Sequence, residues 1–445
     1  MYHEKIRRML DSENISVGDT ILFESAAHKA EGELMPKTEV GNKETLIIKL
    51  ENGYNVGVKY TDKSKLKLLK KGTGTPVFPT TEVKQMPGLP KVVLIYIGGT
   101  IGSKVDYKTG GVHMLIKPGE LLCEVPELAE LANLEIRNPF SIDSADISYH
   151  EWQAVANEVE SAFARGARGV VITMGTDAMH YTSAALSFML KDLNGPVIIT
   201  GAQRSSDRGS SDAFFNLECA VKAAATSDIG EVLICMHRSS SDDMCMLTRG
   251  TRARKMHTSR RDAFRSINDR PIAFIDEKLN ITYNTDYSRV VERSHAKTRA
   301  ITGFEPKVAL IQSHPNFDPE VIDFYTNKGY RGIIIQGTGL GNVPGSTSHK
   351  ELLWTGALER AAKKGIVVGM TSQCLYGRVN SNVYRLLRLI SDLGVVYCED
   401  MTPETALVKL SWLLANHSAE EARRMLPKPI AGEIKERSET DEFLL

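Results

Sequence analysis

Residues 91–102 read KVVLIYIGGTIG, and this stretch indicates the fold class of the chain. Its apolar run continues from Val92 to Ile97 without polar alternation, which is typical of a parallel strand covered on both faces. Similar apolar runs recur at 169–173, 197–200 and 232–235, and segments of helical periodicity separate them. The sequence therefore predicts an open, mostly parallel α/β sheet in this part of the chain.

A second α/β unit is predicted after Arg299. Its candidate strands are short apolar runs that begin at Val308, Gly332, Ile366 and Val395. Its candidate helices lie near 319–328, 351–364 and 382–392. We expect the polar last thirty residues to form one helix and a frayed tail.

The N-terminal part differs in pattern from both α/β units. Short candidate strands are joined by Gly and Asn turns, with Asn52-Gly53 as a strong hairpin signal, and this predicts a small β-barrel-like domain. A stretch rich in Pro and Gly follows it and is typical of a linker. The predicted divisions are a β-rich domain at 1–75, a linker at 76–90, α/β domains at 91–300 and 301–415, and a tail at 416–445.

The composition excludes several classes of protein. Hydrophobic residues make up 42% and charged residues 25%, which excludes a wholly disordered chain. The 55 basic residues balance 55 acidic ones, so global attraction to nucleic acid is not favoured. No apolar run approaches the length of a membrane span, and no export signal is visible, so we expect a cytoplasmic protein. The histidines and cysteines lack the spacing of a zinc site, and we predict no metal in this chain.

The first candidate site residue is Thr100, in Gly98-Gly99-Thr100-Ile101-Gly102 after the first strand. Ligands of open parallel sheets bind beyond the carboxyl ends of the strands, and paired glycines permit close backbone approach. A tight turn with Thr100 as a helix N-cap explains this motif equally well. A nucleotide-binding loop is disfavoured, because the motif lacks both the Gly-Lys-Ser/Thr order and the GxGxxG spacing.

The second strand end adds a hydroxyl and a carboxylate. Thr176 and Asp177 follow the apolar run at 169–173, and Gly201-Ala202-Gln203-Arg204 follows the next run. Because a threonine hydroxyl is a weak nucleophile, it needs a base within hydrogen-bond reach. A carboxylate can supply this base through a lysine, and Lys255 is a candidate for that lysine. The carboxylate can also hold the ammonium group of an amino-acid substrate.

Five motifs in this order resemble the type I/II L-asparaginase family over roughly 91–415. They are GGTIG, Ser144-Ala145-Asp146, GTD at 175–177, GAQR at 201–204, and a lysine before Phe264. The resemblance implies an asparaginase-like fold of two subdomains and hydrolysis of a side-chain amide through a threonine acyl-enzyme. It implies that Thr100 is the nucleophile and that Thr176, Asp177 and Lys255 activate a hydroxyl or water.

The same resemblance implies how the substrate is held. Ser144 would bind the α-carboxylate of the substrate, and Asp177 would pair with its α-ammonium. Tyr107 would correspond to the tyrosine of a loop that closes over the site. Backbone N–H groups around Thr100 and Thr176 would stabilise the oxyanion.

The N-terminal extension resembles that of the D-subunit family of archaeal glutamyl-tRNA(Gln) amidotransferases. The similar stretches include Glu33-Leu-Met-Pro-Lys-Thr-Glu and Ile48-Lys-Leu-Glu-Asn-Gly-Tyr. This resemblance implies a glutaminase whose ammonia is used by a partner E subunit to convert Glu-tRNA(Gln) to Gln-tRNA(Gln). It implies that ATP and Mg²⁺ bind to the partner and that no cofactor binds to this chain. It also implies that the tRNA binds mainly through the partner, in an assembly of two D and two E subunits.

Two alternatives remain open. A stand-alone cytoplasmic L-asparaginase or glutaminase would hydrolyse amides rapidly without a partner. A catalytically silent scaffold would bind tRNA through the basic stretches Lys59–Lys71 and Arg249–Arg270. The simpler interpretation of Lys59–Lys71 is solvated surface. Arg249–Arg270 has two interpretations: it is a solvated surface with internal ion pairs, or it faces the partner or the tRNA or assists Lys255 through its like charges.

Overall fold

The computed structural model describes most of the chain. The described residues are 2, 4–25, 28–35, 44–50, 55–72, 86–99, 101, 103–105, 112–114, 125, 127–205, 210–284, 290–439 and 443. The predicted turn at Asn52-Gly53 and most of the predicted linker lie outside these ranges.

The N-terminal unit is one helix packed on a five-stranded antiparallel sheet. The helix is α1 (Glu4–Ser12), and the strands are β1 (Thr20–Glu24), β2 (Lys29–Leu34), β3 (Thr45–Lys49), β4 (Asn55–Lys59) and β5 (Lys65–Lys70). The strand order is β4-β3-β2-β1-β5. Alternate residues such as Ile21, Phe23 and Leu46 form the core, which α1 completes with Ile6 and Leu10. The predicted β-rich unit is therefore present as an antiparallel sheet.

Strand β5 accounts for part of the lysine-rich stretch. Leu66 and Leu68 pack against the N-terminal core, whereas Lys65, Lys67 and Lys70 are exposed. The Lys-Leu alternation is thus the period-2 pattern of an edge strand, and exposed lysines on an edge oppose pairing with another chain.

The first α/β unit is built on an eight-stranded sheet. Its strands and small hairpins are β6 (Lys91–Tyr96), β7 (Ser103–Val105), β8 (Val112–Met114), β9 (Asn133–Arg137), β10 (Gly169–Thr173), β11 (Leu190–Lys191), β12 (Val197–Thr200), β13 (Val232–His237), β14 (Met244–Arg249), β15 (Ala253–Lys255), β16 (Phe264–Ser266), β17 (Ala273–Asp276), β18 (Ile281–Tyr283) and β19 (Arg299–Ala300). The sheet order is β18-β17-β14-β13-β12-β10-β6-β9. Strands β9, β6, β10, β12 and β13 are parallel, as predicted. Strands β14, β17 and β18 extend the sheet in antiparallel fashion, which the apolar runs did not indicate.

Helices cover both faces of the parallel strands. They are α2 (Leu128–Leu131), α3 (Tyr149–Ala164), α4 (Met179–Met189) and α5 (Ala213–Thr226). Val93 and Ile95 of β6 join the core under α3 and α4, whereas Val92 and Leu94 join the core under α5. Burial on both faces explains why these strands are apolar without alternation.

The second α/β unit is a four-stranded parallel sheet. Its strands, in sheet order, are β20 (Val308–Gln312), β21 (Gly332–Gly337), β22 (Val367–Ser372) and β23 (Val396–Tyr397). Its helices are α6 (Glu320–Asn327), α7 (Trp354–Lys363), α8 (Arg385–Asp392), α9 (Pro403–Asn416) and α10 (Ala419–Met425). Helix α9 contacts both β21 and α4, and Trp412 stacks on Phe188 with ring centroids 6.3 Å apart. One hydrophobic core therefore continues from the first unit into the second.

The segment after α10 is not a frayed tail over 430–439. The Glu433 carboxylate is fully buried, accepts hydrogen bonds from the backbone N–H groups of Ile430 and Ala431, and pairs with Lys409 at 2.5 Å. The Lys435 N–H donates to Asp400 Oδ1 at 3.2 Å. These buried bonds anchor the segment to α9 and to the end of the second sheet.

Candidate active site

The candidate site lies at the carboxyl edge of β6, β10 and β12. Because these neighbouring strands are parallel, the residues that follow them meet at one edge of the sheet. Gly99 has φ +93°, and a Cβ added to it would lie 2.3 Å from the backbone N of Gly175. Glycine at position 99 therefore allows the loop after β6 to contact the loop after β10 directly.

Lys255 connects the two polar side chains that follow β10. Its Nζ donates to Thr176 Oγ1 at 2.9 Å and to Asp177 Oδ1 at 2.6 Å. The lysine comes from β15, which pairs with β16 in a hairpin beyond the antiparallel part of the sheet. Its side chain is only 10% exposed, whereas that of Asp177 is 72% exposed. The arrangement thus places a shielded amine against a hydroxyl and leaves a carboxylate facing solvent.

Ser144 approaches the same loop from the turn before α3. It begins a short 3-10 turn, Ser144–Asp146, and its Oγ accepts a hydrogen bond from the backbone N of Asp177 at 3.1 Å. A Cβ added to Gly175 would lie 2.6 Å from Ser144 Oγ and 2.9 Å from Ser144 Cβ, so a larger residue there would displace Ser144. The Ser144 hydroxyl donates to no group in the described part of the chain, and its proton can therefore be offered to a ligand.

Gln203 belongs to the site although the sequence analysis used it only as part of a motif. Thr176 Oγ1 donates to Gln203 Oε1 at 3.5 Å. The backbone N of Gln203 donates to the fully buried Asp212 carboxylate, with both oxygens at 3.0 Å. Gln203 Nε2 is buried and has no hydrogen-bond partner among the described residues. In the sequence, the position of the motif directly after a strand was the signal that could have placed Gln203 at the site.

His180 was not singled out from the sequence. It is 9% exposed, and its Nδ1 has no hydrogen-bond partner within the described ranges. Burial, with the nearby positive charges of Arg254 and Lys255, lowers the pKa of His180 to about 4, against a smaller opposing effect of Asp177. The imidazole is therefore neutral at physiological pH and adds no charge beside Lys255.

The structure brings together four of the six predicted site residues. Ser144, Thr176, Asp177 and Lys255 are joined by the hydrogen bonds given above. Thr100 and Tyr107 lie outside the described residues, and their assignments stay predictions. No group of three or more His, Cys, Asp or Glu side chains in the described part of the chain could hold a metal ion.

Most of the basic stretch Arg249–Arg270 is engaged in internal ion pairs. Arg249 binds Glu231 and Asp269, and Arg252 binds Asp400, all with side chains at most 9% exposed. The pairs further along the stretch are Arg254–Glu404, Arg260–Asp262, Arg261–Asp242 and Arg265–Asp262. Of the two interpretations of this stretch, the structure favours internal ion pairs.

Comparison with known proteins identifies the family. The chain is 44% identical over 447 residues to the D subunit of glutamyl-tRNA(Gln) amidotransferase from Pyrococcus abyssi, and the match covers 99% of this chain and 100% of that protein. The chain belongs to the D-subunit family of glutamyl-tRNA(Gln) amidotransferases. The family member from Methanopyrus kandleri is also 44% identical, with 98% of this chain and 95% of that protein covered.

Family models divide this member of the D-subunit family in a consistent way. The sequence matches a GatD N-terminal domain at 15–69, an asparaginase N-terminal domain at 91–288, and a glutaminase/asparaginase C-terminal domain at 307–426. The solved L-asparaginase I from Vibrio cholerae superimposes with a TM-score of 0.68 at 31% identity, covering 78% of this chain and all of that one. The asparaginase-like α/β fold is thereby confirmed. Among the helices that the structure describes, none is long and apolar enough to cross a membrane.

Proposed function

We propose that this chain hydrolyses the side-chain amide of glutamine and supplies the ammonia to a tRNA-dependent amidotransferase. The observation that carries this proposal is the pair of contacts from Lys255 Nζ to Thr176 Oγ1 and Asp177 Oδ1, at 2.9 and 2.6 Å. A shielded amine against a hydroxyl, with a carboxylate behind it, is a group that can take and return a proton. Amide hydrolysis needs that transfer twice, once to form and once to release the acyl group.

In this mechanism Thr100 is the nucleophile. Its hydroxyl follows Gly99 in the sequence, and Gly99 packs on the backbone of Gly175, one residue before Thr176. The Thr100 oxygen attacks the amide carbon as the Thr176–Asp177–Lys255 group accepts the hydroxyl proton. The C–N bond then breaks, the proton passes to the leaving nitrogen, and ammonia departs. Water attacks the threonine ester in the second half and regenerates the hydroxyl.

The substrate is oriented by its α-amino-acid groups. The Ser144 hydroxyl offers a donor to the α-carboxylate, and the exposed Asp177 carboxylate pairs with the α-ammonium. Tyr107 closes over the bound amide. Fixing both α-substituents places the side-chain amide at a set distance, which positions the reacting carbon.

The partner is an E subunit that binds Glu-tRNA(Gln) and uses ATP and Mg²⁺ to activate its glutamyl group. Two lines of support are the names of the full-length relatives and the match to a GatD N-terminal domain. The division of labour leaves this chain without a cofactor and gives the partner the tRNA contacts. An assembly of two D and two E subunits in the cytoplasm is part of the proposal.

The test measures ammonia release from glutamine and asparagine by the chain alone, with E subunit, and with E subunit plus Glu-tRNA(Gln). We expect glutamine hydrolysis to rise when both are added. Thr100→Ala, Thr176→Ala and Lys255→Met should each abolish Gln-tRNA formation from glutamine but not from an added ammonium salt. If the Thr100→Ala variant together with the E subunit still formed Gln-tRNA from glutamine, the assignment of Thr100 as the nucleophile would be refuted.

A stand-alone amidohydrolase is the second candidate. It is favoured by the match to the full length of solved L-asparaginases, including that from Thermococcus kodakarensis at 29% identity and a TM-score of 0.66. It predicts rapid hydrolysis by the chain alone that partner and tRNA do not change. The ammonia assay therefore separates the two candidates directly.

A further inference from the structure

A chain of buried hydrogen bonds leads away from the candidate site along the start of α5. The Asp212 carboxylate, directly before this helix, accepts hydrogen bonds from the backbone N–H groups of Gln203 at 3.0 Å and Arg204 at 3.1 Å. Asn216, about one turn further along, donates from Nδ2 to Asp212 Oδ2 at 3.1 Å and to the Gly201 carbonyl at 3.0 Å. Both of these side chains are fully buried. Together they fix the backbone of the loop that follows β12.

The loop after β12 lies directly against the proposed proton-transfer group. A Cβ added to Gly201 would clash with the Met174 carbonyl and would lie 3.3 Å from Thr176 Cγ2. Thr176 Oγ1 in turn lies 3.5 Å from Gln203 Oε1. Because close-packed groups transmit displacements to one another, a shift of this loop would move the Thr176 hydroxyl relative to the Lys255 amine.

His237 continues the chain at the end of β13. Because Asn216 uses Nδ2 to donate to Asp212, its Oδ1 is the acceptor, and His237 Nδ1 donates to it at 2.7 Å. The other ring nitrogen, Nε2, lies 3.0 Å from Asp242 Oδ1. The His237 side chain is fully buried, whereas that of Asp242 is 61% exposed. The chain therefore runs from the surface turn between β13 and β14 to the loop after β12.

The same carboxylate oxygen also holds the hairpin that carries Lys255. Arg261, in the turn between β15 and β16, donates from Nη1 to Asp242 Oδ1 at 2.5 Å and from Nη2 to the Ser240 carbonyl. Lys255 is the last residue of β15. Partial burial raises the pKa of Asp242, but the hydrogen bonds from His237 and Arg261 outweigh it and lower this pKa below its usual value. Asp242 is therefore an ionised acceptor shared by the hairpin and by the buried chain.

We propose that Asp242 is a positioning residue for the amide-hydrolysing site. It ties the hairpin of Lys255 to the chain that fixes the loop after β12, and thereby sets the distance between Lys255 Nζ and Thr176 Oγ1. Proton transfer requires these two atoms within hydrogen-bond reach, and small displacements of reacting groups lower rates steeply. The kinetic consequence rests on the proposed function, whereas the positioning itself can be measured without turnover.

The kinetic test compares Asp242→Ala with Asp243→Ala in the complex with E subunit and Glu-tRNA(Gln). Asp243 is the matched control, because it is the next residue of the same turn, carries the same charge, and has its described hydrogen bond from Ser239 at 3.2 Å. We expect Asp242→Ala to lower kcat for ammonia release from glutamine at least about fivefold, with KM changed less than about twofold. Asp242→Asn keeps one acceptor oxygen and should recover part of the lost kcat. Asp243→Ala should match the wild type in both constants.

Hydrogen exchange of the full chain, read by mass spectrometry, tests the positioning directly. Because Asp242 is largely exposed, the Asp242→Ala variant is expected to fold. Its amide exchange should be faster than that of Asp243→Ala in the peptide that contains Gln203 and in the peptide that contains Lys255. The remaining peptides of the two α/β units should exchange alike in both variants.

Equal kcat in the two variants would overturn the inference, and so would equal exchange in the Gln203 and Lys255 peptides. A lower urea midpoint for Asp242→Ala with unchanged kcat would show a structural role alone, and would overturn it as well. A wild type that releases no ammonia from glutamine would refute the proposed function instead. In that case the exchange comparison by itself decides whether Asp242 positions the two segments.

Discussion

Acidification should destabilise this protein partly through one buried histidine beside the candidate site. The pKa of His180 is lowered from 6.5 to about 4, mainly by burial and further by the charges of Arg254 and Lys255. Because the unfolded chain binds the proton at a higher pH than the folded chain does, stability falls as the pH drops from about 6.5 towards 4. The full effect of this shift is about 3 kcal/mol, of which about 2 kcal/mol is lost between pH 7 and pH 4.5.

The measurement is urea unfolding of the wild type and His180→Leu at pH 7 and pH 4.5. Leucine fills a similar volume and cannot titrate, so the variant should lose about 2 kcal/mol less stability over this pH interval. His180→Gln keeps a polar side chain that does not titrate, and this variant should behave like the leucine variant. Other groups titrate equally in all three proteins and cancel in the comparison. If the variants lose as much stability as the wild type, His180 does not carry the shift and the reasoning is wrong.

Two further predictions concern the site loop and the C-terminal segment. Gly175→Ala should reduce ammonia release from glutamine to background, because the new methyl group would lie 2.6 Å from Ser144 Oγ. The control is Gly356→Ala in α7, where the nearest atom is a flexible arginine nitrogen at 3.3 Å. This control variant should keep full activity. Lys409→Met should lower the free energy of unfolding by about 3–5 kcal/mol in a urea titration, because it leaves the buried Glu433 carboxylate without its cation. The double variant with Glu433→Leu should recover part of this loss, and a double variant less stable than the single one would contradict the buried-pair argument.

The fold class and the edge of the sheet that carries the site were predictable from local patterns. The apolar runs at 92–97 and 169–173 became β6 and β10, and the motifs that follow them meet at one edge. Burial on both faces imposes a continuous apolar pattern, and parallel strands align their carboxyl ends. These rules need no knowledge of distant contacts, and so Thr176 and Asp177 could be predicted as neighbours of one another and of the loop at Gly98-Gly99.

The antiparallel half of the first sheet was not predictable in the same way. Strand β17 has four residues and β15 and β16 have three each, and the burial of these strands and of β14 depends on what packs against them. The lysine-rich strand β5 was missed because its lysines indicate a charged surface, although its leucines alternate in period 2. The C-terminal segment was expected to fray, but buried Glu433 ties it to α9. A polar sequence gives no local sign of a buried ion pair whose partner is remote.

Local sequence was enough to propose which residue types gather at the site, since strand ends and glycine turns are written in consecutive residues. Only the folded chain decided that Lys255 donates a hydrogen bond to the Thr176 hydroxyl, 79 positions earlier in the sequence. The fold also decided that neighbouring arginines form internal ion pairs, whereas Arg238 lines a cavity. The physical reason is that hydrogen bonds and ion pairs act over a few ångströms of space. The residues they join are brought within that distance by the packing of whole strands and helices, not by their order along the chain.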